Sequence, residues 1–110
     1  MNFIGKVTKL LNKFKPEYKF LNVEELPENL KDRVIYIIGR QEQPWLLAFM
    51  CPCGCKDSIQ LNLLKEAQPC WSFKIRNNKL NIFPSIRRIK SCKSHFFIRN
   101  GKIDWIKKYH

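Results

Sequence analysis

The sequence has no apolar run approaching the roughly 18 residues that a membrane-spanning helix requires, which excludes a helical span. No uninterrupted apolar stretch follows the first lysines, so a secretory leader is not expected. Acidic residues are few, 9 against 21 basic ones, leaving a net charge of +12. An excess of that size favours an anionic partner: nucleic acid, a membrane face or an acidic protein surface. Genomes of low GC content, which inflate lysine and asparagine, offer a plainer origin for it. Histidine occurs only at positions 95 and 110, which speaks against a Rieske centre with two histidines on one iron. Neither an internal repeat nor a low-complexity tract is found.

Cysteine, by contrast, is plentiful, at positions 51, 53, 55, 70 and 92. Three of the five fall within five residues, too crowded for each to find a separate disulfide partner. Together with the missing leader, this points to a reducing cytoplasm and to thiols used for metal. At 110 residues the chain is one domain at most, with room for an arm, and a domain of that size is commonly supplemented by a bound metal.

Residues 2–14 carry Phe3, Ile4, Val7, Leu10, Leu11 and Phe14 on one helical face and Lys6, Lys9 and Lys13 on the other. The spacing predicts a basic amphipathic helix that Pro16 stops. Residues 1–20 form an N-terminal arm on this reading, and 21–110 a β-rich metal-binding domain. Residues 17–33 read as a polar, proline-interrupted connection. From Val34 the texture is β, with strand-like runs at 34–38, 45–50, 59–64, 71–75, 80–83, 95–98 and 103–106, about seven strands. Asn100-Gly101 supplies the positive φ angles of a tight hairpin turn, and Arg76-Asn-Asn-Lys79 is a second turn signal. The fold class expected is mainly β: zinc-stabilised hairpins resembling a zinc ribbon, behind an N-terminal helix.

A tetrahedral zinc site takes four ligands, usually as two pairs from two turns. Cys51-Pro-Cys-Gly-Cys55 is one such turn and Cys92-Lys-Ser-His95 the other. Five candidates compete for four places. The favoured set is Cys53, Cys55, Cys92 and His95, with Cys51 competing; an iron–sulfur cluster is the rival occupant. Cys70, beside Trp71, reads as a buried structural thiol. Cys92 and His95 also have the makings of a nucleophile and its base, although ligand duty explains their spacing better. An open, catalytic metal would need a base, for which Asp57 is the nearest carboxylate and Glu66 a more distant one. Ser85 and Ser94 are read as supports for the turns or donors to thiolates.

From Trp71 to the end there are 11 basic residues and one acid, Asp104. Arg87, Arg88, Lys90 and Lys93 cluster around the second turn, and Phe83, Phe96, Phe97, Trp105 and Tyr109 interleave with the charges. Such a face is a candidate nucleic-acid surface, unless the rings are core and the charges a solvated rim.

With these residues in view, the chain resembles a family of small bacterial proteins of undefined function. The resemblance rests on Cys51-Pro-Cys-Gly-Cys55, Trp71, Pro84-Ser-Ile86, Cys92-Lys-Ser-His95, Gly101 and Trp105, across roughly residues 34–106. Members of that family often lie beside genes for bacterial ubiquitin-like conjugation, in operons linked to phage defence. The resemblance implies a zinc-binding adaptor or ligase-like accessory protein, with activating- or conjugating-enzyme-like partners. A zinc-ribbon nucleic-acid binder ranks second and a metal- or thiol-dependent enzyme third.

Overall fold

A computed structural model describes residues 17–89 and 92–107. The helix expected over 2–14 lies outside them. The described chain is built of eight strands: β1 (Lys19–Val23), β2 (Val34–Arg40), β3 (Gln43–Met50), β4 (Ser58–Asn62), β5 (Ser72–Arg76), β6 (Lys79–Arg87), β7 (His95–Arg99) and β8 (Lys102–Lys107). They form two four-stranded sheets, ordered β1-β2-β3-β4 and β5-β6-β7-β8. Every pairing is antiparallel except β1 with β2.

Alternation decides which side chains meet between the sheets. Ile35 and Ile37 of β2, Leu47 and Phe49 of β3, and Ile59 and Leu61 of β4 join Leu80, Ile82, Ile86, Phe96, Ile98 and Ile103 of the second sheet in one buried cluster. The opposite face of β2 and β3 is buried as well. Tyr36, Ile38, Leu46 and Ala48 pack there with Val23, Leu30 and Val34, and the Lys31 amide donates to the Tyr36 hydroxyl at 3.2 Å. This second layer explains why β2 reads as a continuous apolar run rather than an alternating one.

Two of the hairpin turns follow directly from their residues. Asn77 and Asn78 have φ of 53° and 60°, and Asn100 and Gly101 have 51° and 74°. Gly101 also holds the sheets together. Its amide donates to Leu80 O at 2.7 Å, and its carbonyl accepts from the Tyr18 amide at 2.6 Å. A Cβ there would lie 3.0 Å from Tyr18 O. The stretch read as a connection over 17–33 therefore opens with a strand. Glu17 bridges to Lys102 and β1 pairs along the edge of β2. Only Phe20 of β1 packs against the shared core, so the sequence of this strand carries little apolar signal.

Candidate metal centre and a serine–histidine pair

Two connections face each other at one end of the two sheets. The first leaves β3 at Met50 and enters β4 at Ser58; the second leaves β6 at Arg87 and enters β7 at His95. In the first, the Cys51 amide donates to Asp57 O at 2.8 Å and closes the loop. Gly54 has φ of 89° and Lys56 of 67°, left-handed values that fold the chain back over five residues. The Cys55 amide points at Cys53 Sγ, 3.3 Å away. Arg88 ties the two connections together: its guanidinium pairs with Asp57 at 3.5 Å and its amide donates to Ser94 O at 2.8 Å.

The sulfurs of Cys51, Cys53, Cys55 and Cys92 all lie within 4.8 Å of one another. Cys51 Sγ is 3.5 Å from Cys53 Sγ and 3.6 Å from Cys92 Sγ. A zinc tetrathiolate with Zn–S of about 2.3 Å has sulfur–sulfur edges of about 3.8 Å, so the four thiols are spaced to hold a metal ion. All five cysteines are free, and Cys70 stands apart from this group. Burial pushes the Cys51 thiol far above its ordinary range and raises Cys53 too. Burial acts the same way on Cys92, but the polar groups of Ser94 and the sulfurs of Cys53 and Cys51 beside it outweigh it and bring Cys92 down to about 6. One thiolate is thus ready at neutral pH, whereas Cys51 and Cys53 need a cation to ionise.

His95 lies outside the sulfur group. Its Nε2 is 2.8 Å from Ser85 Oγ, and both residues are half-buried. The strands explain the meeting. Ile86 pairs with Phe96 and Ile82 with Ile98, so β6 carries extra residues between Ile82 and Ile86. An irregularity of this kind re-aims side chains, and proline inside a strand marks one. Pro84-Ser85 occupies it, and Ser85 turns to meet the first residue of β7. The Trp71 indole donates to Ser85 O at 3.3 Å and fixes the backbone there. In the tautomer protonated at Nδ1, the Ser85 hydroxyl donates to Nε2, the arrangement by which an imidazole draws a proton from a serine. Among the described residues no carboxylate is hydrogen-bonded to His95.

Sequence reasoning set His95 beside Cys92 and gave Ser85 a supporting role. The signal for Ser85 was the proline before it, which makes a strand bulge, in the same motif set as the histidine. Of the basic cluster, Arg87 and Lys93 are exposed, Arg88 is tied to Asp57, and Lys90 lies outside the described residues. Among the interleaved rings, Phe96 is core, Trp105 packs edge-on against it at 5.5 Å, and Arg99 covers Phe97 at 3.9 Å. Phe83, by contrast, is 46% exposed.

Residues 22–106 match the model of one protein family, the bacterial ubiquitination-like system serine protease family (BubE), and the chain belongs to it. No curated protein and no solved structure matches the chain. Among the described residues no helix is long and apolar enough to cross a membrane.

Proposed function

We propose that this BubE family member is a serine protease acting within a bacterial ubiquitination-like system, with Ser85 as nucleophile and His95 as general base. The family's description supplies the reaction class. The observation that carries the assignment is the 2.8 Å contact between Ser85 Oγ and His95 Nε2. His95 takes the Ser85 proton as Oγ adds to the scissile carbonyl, and passes it to the departing amine when the C–N bond breaks. Water then adds to the Ser85 ester, its proton going to His95, and the acid product leaves as Oγ recovers that proton. Proteins of the same system, including activating- or conjugating-enzyme-like ones, are its partners on this reading.

Cys51, Cys53, Cys55 and Cys92 would hold a zinc ion, four thiolates being the donor set of a closed structural site. Bound zinc supplies cross-linking of the two connections, and the chemistry stays with Ser85 and His95. Five free thiols fit a reducing compartment, which we take to be the cytoplasm. The leading reading from sequence, an adaptor, would need no serine–histidine contact.

The test is hydrolysis of the ubiquitin-like proteins of such a system, and of their conjugates, by the zinc-loaded chain. Ser85→Ala and His95→Ala should each lower the rate at least ~10³-fold while zinc content and the melting curve hold. Full activity in Ser85→Ala would overturn the assignment.

A further inference from the structure

Beside the serine–histidine pair lies an open groove of about 530 Å³. Leu63, Cys70, Trp71, Phe73, Phe83 and Pro84 line it, and Lys65 is its one charged lining residue. The volume falls within the range of sites that bury small ligands or single large side chains. Its walls are fixed. Asn62 Nδ2 donates to Leu64 O, Ala67 O and Pro69 O, and the Trp71 amide donates to Asn62 O, so the β4–β5 connection is held as one piece. Phe83, which lines it, is 46% exposed, so the groove presents an aromatic wall to solvent.

The groove is continuous with the reactive serine. Pro84 lines it and precedes Ser85, and the Trp71 indole that walls it bonds to Ser85 O at 3.3 Å. β5 begins at Ser72, opposite Phe83. Past Phe83, therefore, β6 has no β5 neighbour, and Pro84-Ser85 stands at an open margin where a polypeptide can approach.

We propose that this groove is a specificity subsite: it takes one large apolar side chain, aliphatic or aromatic, of the residue adjoining the scissile bond of a polypeptide laid across Ser85. The proposal rests on the protease reading above and adds the substrate preference. A polar or charged side chain would lose its hydration among Leu63, Trp71, Phe73 and Phe83 and find only Lys65 as a partner. A small one would leave the groove unfilled. Cys70 sits in the lining, so enlarging that residue fills the groove without touching Ser85 or His95.

The test uses peptidyl diphenyl phosphonates whose residue next to phosphorus is Ala, Asp, Leu or Phe, with labelling followed by intact mass. Ser85 Oγ displaces phenoxide from phosphorus, and the serine proton leaves with the phenol. The inference expects Ser85-dependent labelling of the zinc-loaded chain, at least about tenfold faster with Leu or Phe than with Ala or Asp. It also expects Cys70→Trp to erase that preference while keeping its zinc and its labelling by the Ala probe. Equal rates across the four probes in the unsubstituted chain would sink the subsite and leave the protease intact. The preference surviving in a folded Cys70→Trp chain would sink it too, by placing the side chain elsewhere. Labelling by none of the probes, or undiminished labelling of Ser85→Ala, would overturn the protease reading and the subsite with it.

Discussion

Two of the five residues that competed for the metal on sequence grounds, Cys51 and His95, have opposite consequences on substitution. Cys51 is 5% exposed and sits in the shared core, its sulfur against those of Cys53 and Cys92. Cys51→Ser should therefore lose zinc and melt well below the parent, as elemental analysis and a thermal scan will report. His95→Ala should keep one zinc per chain, since its ring meets Ser85. A zinc-free His95→Ala chain would return the histidine to the ligand set. Tyr18 gives a pH prediction. Burial raises its phenol to about 12 from an ordinary 10.0, with Cys51 adding and Arg33 opposing. The folded state thus keeps the proton more tightly than the unfolded one. The contribution is full below pH 10 and is lost as pH climbs through 12, about 3 kcal/mol over that window before solvent screening reduces it. Denaturant melts at pH 9, 10.5 and 11.5 should show stability falling, and Tyr18→Phe should flatten the decline.

At the scale of elements, the turn at Asn100-Gly101 does two jobs, closing β7–β8 and receiving the Tyr18 amide. Gly101→Ala keeps a strained φ of 74° and drives a methyl to 3.0 Å from Tyr18 O. We expect a loss of about 1–3 kcal/mol in urea melts, with faster amide exchange at Tyr18. A change confined to the β7–β8 turn would mean β1 is held by β2 alone. The hairpins β2–β3, β5–β6 and β7–β8 were legible because apolar runs and turn residues agree there. β1 was not, since Lys19-Phe-Leu-Asn-Val23 buries little and pairs parallel at an edge. The two cysteine turns were legible as a site, but spacing alone could not say that Cys51 turns inward and His95 away. That depends on the bulge at Pro84-Ser85, set by how β6 and β7 register across a core assembled from distant segments.

On the scale of the whole molecule, the four thiols come from both sheets, three from the β3–β4 connection and one from β6–β7. A metal held by them adds a link between layers already joined by side-chain packing, the Tyr18–Gly101 hydrogen bond and the Arg88–Asp57 pair. At free zinc a thousandfold above its dissociation constant, such an ion contributes about 4 kcal/mol to folding. Stabilities of small domains run to about 5–15 kcal/mol, so that share is large without being all of it. Chelation under reducing conditions should lower Tm by roughly 15–30 °C while leaving a β-rich circular dichroism spectrum below the new transition. Hydrolysis should fall in parallel, because His95 stands three residues after Cys92 and its approach to Ser85 depends on that connection. Protons compete with the metal for the same sulfurs, so the increment zinc adds should shrink as pH falls. The discriminating measurement is activity in the chelated chain held well below its lowered Tm. Loss that zinc restores assigns the ion to positioning His95. Full activity there would mean that packing alone sets the pair, and that the metal serves only the stability of the fold.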